Sequence, residues 1–342
     1  MTRSLITVNL GALRRNAARL REAAAPAELW AVVKADAYGH GAVVAAHAAL
    51  EGGAAALCVA TVREAAELRA ELPGTRIVVM SPLAPGEEEA VRDAGAEVCL
   101  SSPGAPRGVP VHLKVDTGMG RWGMSAEDAL ALGDAPVVGI MSHLAGADEP
   151  DDAFARVQLD RFAEVRARFP GVTAHVANSA AALRFPEARY DAVRCGVALY
   201  GLSPFGDDPA AHGLEPVLTW ESYVALEKEL APGESTGYGR RFVARGPVRV
   251  GIVPVGYADG FRRALTGADV LVDGVRRKVL GTVSMDSFAV ELGDSHAGAP
   301  VTLIGGGLRA EELARHLGTI NYEITCALNR DPRRADVVVT DG

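Results

Sequence analysis

Five segments in the first 200 residues concentrate side chains that do chemistry, and each sits at the end of a short apolar run. Lys34, Tyr38 and His40 lie in KADAYGHG, and Lys114, Asp116 and Arg121 in KVDTGMGRWG. His143 lies in SHLAGADE, His175, Asn178 and Ser179 in HVANSAA, and Arg194, Gly196 and Val197 in RCGVALYG. Lys34 is the sharpest of them. It follows WAVV, so its amine stands at the tip of a buried apolar strand. A lysine desolvated there has a lowered pKa and can attack an aldehyde, whereas a bland lysine would snorkel to the rim. RCGVALYG presents backbone N–H groups at the start of a short helix, where amide donors and the helix dipole suit a phosphate. Ser179 can add a hydroxyl, and Tyr38 and Tyr322 can add phenols. An amine nucleophile beside a phosphate site implies a phosphorylated aldehyde as cofactor, pyridoxal phosphate.

The elements that must position these groups are legible as eight short runs: Trp30–Val33, Ala56–Ala60, Ile77–Met80, Val98–Leu100, Val111–Val115, Val137–Met141, Thr173–Val176 and Ala192–Cys195. They lack strict alternation, as strands buried on both faces do. Amphipathic stretches follow most of them, at Gly41–Leu50, Ala65–Glu71, Glu87–Asp93, Ala126–Leu132 and Asp152–Arg168. The spacing predicts a (β/α)8 barrel, whose chemistry sits at the C-terminal ends of the strands. Between Leu100 and Val111 lies only SSPGAPRGVP, too short and too rich in Pro and Gly for a crossover helix. One outer helix is therefore expected to be missing after strand four. Beyond residue 212 helical periodicity fades. Strand-like segments follow at Val217–Glu229, Arg249–Pro254, Val270–Val272, Arg276–Leu280, Phe288–Leu292 and Pro300–Ile304, with a helix or two near Glu311–Leu317. The expected division is a barrel over residues 9–212 and an all-β domain over 213–342. The opening strand Leu5–Val8 could join either domain by its pattern, and residues 1–8 are grouped with the second.

Composition narrows the classes. The 342 residues suggest about two domains. With 49% apolar and 23% charged residues, the chain is globular rather than disordered or fibrous. A net charge of −8 offers no basic face for nucleic acid. No apolar run reaches membrane-spanning length, and the N-terminus lacks a signal-peptide core. Cys58, Cys99, Cys195 and Cys326 form no CxxC and read as reduced thiols of a cytoplasmic protein.

KADAYGHG resembles the signature of the alanine racemase family, the barrel-type (fold type III) pyridoxal-phosphate enzymes. The resemblance extends in family order through HLKVDTGMGR, HVANSA, RCGVALYGL, GYGR, VGYADG, VSMDS and TINYEITCALNR, so it covers essentially the whole chain. It implies that Lys34 holds the cofactor and acts as base on the D-substrate, and that Tyr238, in GYGR, is the opposing base on the L-substrate. It implies a phosphate site of Tyr38, Ser179, Gly196, Val197 and Tyr322, with Asn178 in the same block. Arg194 would donate to the pyridine nitrogen, backed by His175, and His143 would stack near the ring. Arg121 and the Met285 N–H would meet the substrate carboxylate, and Lys114, often carbamylated in the family, would hold Arg121. Tyr257, in VGYADG, resembles a gate tyrosine of the access channel, and Asp286, in VSMDS, is grouped with it. The implied assembly is a head-to-tail homodimer with composite sites, in which the partner's β domain covers the barrel mouth. No metal is implied. The implied reaction interconverts L- and D-alanine, supplying D-alanine for peptidoglycan.

The chemistry accounts for these types. Racemisation removes the Cα proton and returns it on the other face, so one base is needed per face, while the cofactor ring accepts the electrons. Nearby cationic groups would lower the effective pKa of the tyrosine. An arginine at the ring nitrogen opposes its protonation and should limit side reactions. Gly237 stands where the family commonly has Ser, which predicts a looser turn, and Asp331 stands where an apolar residue is usual. A serine, lysine or broad-specificity racemase of the same family would share these motifs. A barrel-type decarboxylase would place a carboxylate where Arg194 stands. A non-catalytic pyridoxal-phosphate carrier would lack residues 213–342.

Overall fold

The computed structural model describes residues 2–104, 106–132 and 136–342. It divides into two compact units, residues 13–215 and residues 1–12 with 216–342.

The first unit is built on eight parallel strands that follow β1 (Leu5–Asn9) in the chain. They are β2 (Glu28–Val32), β3 (Ala56–Val59), β4 (Ile77–Val79), β5 (Glu97–Leu100), β6 (Val111–Lys114), β7 (Val137–Met141), β8 (Thr173–His175) and β9 (Ala192–Cys195). Hydrogen-bonded neighbours run in the order β8, β7, β6, β5, β4, β3, β2, β9. The seam between β8 and β9 is joined by single bonds rather than a ladder. Asp191 N–H donates to the Ala174 carbonyl at 3.0 Å and Arg194 N–H to the Ala177 carbonyl at 2.9 Å. In β3, β4, β6 and β9 every residue is buried, which is why these strands are apolar runs without alternation.

The helices of this unit are α1 (Leu10–Ala24), which enters it from Leu13 on, α2 (Lys34–Gly39), α3 (Ala42–Glu51), α4 (Val62–Glu71), α5 (Glu88–Asp93), α6 (Ala126–Leu130), α7 (Ala153–Arg166) and α8 (Ser179–Arg184). Thr61 and Glu64 form a capping box at the start of α4. Between Leu100 and Val111 the described residues form turns and carry no helix; Ala105 lies outside them.

The second unit holds β1 and strands β10 (Leu218–Tyr223), β11 (Leu226–Leu230), β12 (Ser235–Thr236), β13 (Phe242–Val243), β14 (Val248–Val253), β15 (Asp269–Val272), β16 (Val275–Leu280), β17 (Phe288–Glu291), β18 (Pro300–Ile304) and β19 (Asp336–Thr340). Its two helices are α9 (Ala310–Leu317) and α10 (Asn321–Cys326). A nine-stranded sheet runs β11, β14, β17, β16, β15, β18, β10, β1, β19, and β12 pairs with β13 in a separate hairpin. Leu5–Val8, ambiguous by pattern, pairs antiparallel with β10 and parallel with β19. The segment expected as one strand over Val217–Glu229 is two, because the chain turns at Val224 and Ala225. Their N–H groups donate out of line, to Ala299 and Ile252.

Candidate active site

The residues after Lys34 adopt a backbone that their types disfavour. Ala35, Asp36, Ala37 and Tyr38 have φ of 53, 50, 53 and 57°, so α2 is a left-handed turn. Each such residue costs roughly 1–2 kcal/mol against the right-handed form. Specific bonds hold it there. Glu64 accepts from the Ala35 N–H at 2.7 Å with one carboxylate oxygen, and from the Ala60 and Thr61 N–H groups at 2.7 and 3.0 Å with the other. The Asp36 carboxylate accepts from the Ala42 N–H at 2.7 Å. The Tyr200 hydroxyl donates to the Val32 carbonyl at 2.8 Å, and its ring stacks on His40 at 4.5 Å. The strain orients the chain immediately after Lys34, which is half-buried at the end of β2.

Arg194, 3% exposed, is the hub of the barrel mouth. Its Nη1 donates to the His175 carbonyl at 2.7 Å and to His175 Nδ1 at 2.9 Å. Its Nη2 donates to the Ser142 carbonyl at 2.8 Å, to His143 Nδ1 at 3.2 Å and to the Val176 carbonyl at 3.3 Å. Among the described residues its Nε–H meets no acceptor. Burial, reinforced by the Arg194 charge, pushes the His143 imidazole well below its ordinary value. Burial does the same to His175, with His112 and then Arg194 adding to it. Both rings are therefore neutral acceptors toward the guanidinium at pH 7.

Lys114, at the end of β6, is 6% exposed. Burial brings its amine down to about 8, and the charges of Arg194, Arg121 and Lys34 add to the effect. Lys34, Lys114, Arg121, His143 and Arg194 thus lie within electrostatic reach of one another. Arg121 is exposed, on a loop shaped by the Asp116 carboxylate, which accepts from the Gly118 N–H at 2.9 Å and the Gly120 N–H at 3.0 Å. At the end of β9, the Ser179 hydroxyl accepts from the Gly196 N–H at 3.0 Å, and Asn178 caps α8 through the Ala181 N–H at 3.0 Å. The helix expected after β9 is one 3-10 turn, Val197–Tyr200, so its donors are local amides rather than a long dipole. The Val197 N–H has no acceptor among the described residues. A methyl at Gly196 would stand 2.4 Å from the Tyr38 hydroxyl oxygen, so only glycine lets that phenol approach.

In the second unit, Tyr238 is 71% exposed. The preceding Gly237 has φ of 78°, and a Cβ there would meet the Thr282 nitrogen at 2.8 Å. The turn is close-packed rather than loose, and Thr282 Oγ1 clamps it by donating to the Tyr238 carbonyl at 2.9 Å. Tyr257 and Met285 are exposed on two loops bonded to each other, with Tyr257 N–H on the Ser284 carbonyl and Ala258 N–H on the Met285 carbonyl. Buried Asp259 and exposed Asp286 share Arg3 and Arg334 beneath those loops. Tyr322 lies in α10, half-buried.

Four further residues belong to the site without standing out in the sequence: Asp36 and Glu64, which brace the lysine turn, and His112 and Glu97, which continue the Arg194 contacts inward. His175 Nε2 lies 2.8 Å from His112 Nδ1, and His112 Nε2 lies 2.6 Å from Glu97. Arg76 holds Glu97 by two guanidinium nitrogens, Nε at 2.9 Å and Nη2 at 3.0 Å. His112 was findable, because it sits two residues before Lys114 on the same strand and shares its face.

A parallel barrel with a cationic mouth, followed in the chain by a β-sheet unit, defines a two-part barrel architecture, and both parts match a single family. The alanine racemase N-terminal domain profile matches residues 8–204 and the C-terminal domain profile residues 217–335. An alanine racemase of Frankia casuarinae is 41% identical, over 97% of this chain and 96% of that one. The crystal structure of alanine racemase from a D-cycloserine producing Streptomyces lavendulae superposes with a TM-score of 0.92 at 36% identity, over 100% of this chain and 98% of that one. An alanine racemase structure from Bartonella henselae, with covalently bound pyridoxal phosphate, superposes with a TM-score of 0.90 at 29% identity, over 98% of this chain and 99% of that one. The chain belongs to the alanine racemase family.

Proposed function

We propose that this chain racemises alanine with pyridoxal phosphate, by two bases on opposite faces of the substrate Cα. The observation that carries the reading is the barrel mouth, where Lys34 at the head of a braced left-handed turn shares one cationic site with Arg194. In this reading residues 9–212 form the cofactor-binding barrel, and residues 213–342 with 1–8 form the β domain. The residues present fit the cofactor. The Val197 N–H, the Ser179 and Tyr38 hydroxyls and the cradle over Gly196 suit a phosphate, with Tyr322 as a further phenol. The Arg194 Nε–H suits a ring nitrogen that must stay unprotonated, because its other N–H groups are already engaged. His143 stands beside that guanidinium, and His175 and Asn178 fix the loops on either side of it.

When bound, pyridoxal phosphate supplies an aldehyde carbon for an amine and a ring that accepts the electrons left as Cα loses its proton. The Lys34 amine holds the cofactor at rest and moves the proton on the D-face. Tyr238 moves it on the L-face. A phenol 71% exposed on its own unit becomes a base only when covered, which supports a homodimer in which the partner subunit's Tyr238 completes each site. Arg121 and the Met285 N–H orient the substrate carboxylate, while Tyr257 and Asp286 line the approach. The protein works in the cytoplasm on this reading, in keeping with Cys58, Cys99 and Cys195 buried as thiols.

Lys114 is the residue we assign to carbamylation. Carbon dioxide reacts with the neutral amine. An amine brought down to about 8 is about half neutral at pH 8, where an ordinary lysine is almost wholly charged. In 13C-bicarbonate, a carbamate carbon signal should appear by NMR and grow from pH 7 to pH 9. Lys114→Ala should lack it, and a wild-type spectrum without the signal overturns the assignment.

The proposed reaction is tested on a panel of L-amino acids read by chiral chromatography. Alanine is expected to turn over fastest. Serine or lysine turning over far faster would overturn the substrate and leave the two-base assignment standing.

A further inference from the structure

Arg194 is a buried charge whose hydrogen-bond partners among the described residues are all neutral: two imidazoles and three carbonyls. Its connection to a carboxylate runs through His175 and His112 to Glu97. The chain has a forced direction. Glu97 stays ionised, because the hydrogen bonds from His112 and Arg76 outweigh its burial and hold its carboxyl below the usual value. A carboxylate only accepts, so His112 carries its proton on Nε2 and presents a bare Nδ1. His175 must then donate from Nε2 and present its own bare Nδ1 to Arg194. Burial keeps both rings neutral, so neither can satisfy both neighbours as a double donor.

The fold makes room for this path. His112 on β6 and His175 on β8 meet across β7, where the register places Gly139 opposite His112. A Cβ at Gly139 would lie 2.0 Å from His112 Nδ1, the atom that receives the His175 proton. Trp30 packs against both imidazoles, at 5.7 and 4.5 Å between ring centroids, and the Arg76 guanidinium lies over the Trp30 ring at 4.6 Å.

We propose that Glu97, acting through His112 and His175, locks Arg194 in the one hydrogen-bonding arrangement that leaves its Nε–H for the cofactor ring, so that Glu97 and His112 are positioning residues for the reaction. The last step rests on the assignment of Arg194 to the ring nitrogen. Glu97→Gln is the sharpest probe, since a carboxamide keeps the shape but can donate. It permits the reversed chain, in which His175 carries its proton on Nδ1 and opposes the arginine donor to donor.

The experiment reads histidine tautomers by 15N–1H NMR in the holoenzyme, with kcat, KM and the cofactor absorbance measured on the same samples. The wild type should show Nε2–H at both His112 and His175; Nδ1–H at either overturns the proposal. Glu97→Gln should give mixed His175 tautomers, a shifted cofactor band and kcat about tenfold lower, with KM for alanine changed less than about twofold. His112→Phe, which deletes the acceptor outright, should do the same to His175. An unchanged His175 tautomer in Glu97→Gln overturns the role of Glu97, even if the variant melts earlier. Altered tautomers with an unchanged cofactor band support the hydrogen-bond chain and overturn instead the assignment of Arg194 to the ring.

Discussion

Lys34→Ala is expected to lower alanine racemisation by on the order of 10⁴-fold or more, because on the proposed assignment it removes both the amine that holds the cofactor and one of the two bases. The purified wild type should be yellow, and the variant should lose the absorbance of covalently held cofactor. The fold should survive. Glu64 and Asp36 brace the following turn through backbone N–H groups that the substitution leaves in place. Circular dichroism and the thermal midpoint should therefore stay near wild type. A Lys34→Ala protein that keeps the wild-type absorbance would remove Lys34 from its assigned role.

Tyr238→Phe should cost about 10² to 10⁴ in turnover, the usual contribution of a positioned proton-transfer group. Stability should change by less than about 0.5 kcal/mol, because the residue is 71% exposed and its turn is held by the Thr282 bond to its carbonyl. The informative readout is exchange of the Cα proton with deuterated solvent. On the proposed assignment Lys34 still serves the D-face, so D-alanine should exchange without inverting, while L-alanine should be nearly inert. Racemisation at the wild-type rate, or equal exchange from both enantiomers, would refute the two-base assignment.

The barrel was legible because its strands are covered on both faces, which turns each into an apolar run ending in a polar cluster. The residues at those ends, Lys34, Lys114, His143, His175 and Arg194, could be picked out one strand at a time. What escaped needed a neighbour. Glu97 and His112 mean little alone; only the strand register brings them into line with His175. The left-handed turn was hidden for a different reason. Ala, Asp, Ala and Tyr all prefer negative φ, and the bonds from Glu64 and Asp36 that override the preference are tertiary. In the second unit, the alternation of Leu218–Tyr223 is clear, but β12 and β13 have two residues each, too few for any pattern. Strand β19 lies at the sheet edge with mostly exposed side chains, so burial leaves no periodic mark on it.

The placement of β1 between β10 and β19 has a consequence for how the chain is made. Leu5 pairs with Glu221 and with Asp336, residues synthesised hundreds of positions later. At about 5–20 residues per second, β1 waits on the order of twenty to sixty seconds for its second neighbour. Within that interval, once Cys195 has been made, the complete barrel strand set, Glu28 to Cys195, is available to fold first. The sheet of the second unit closes only when β19 has been made, around a strand synthesised long before it, and until then both edges of β1 are the unpaired strand edges in need of shielding.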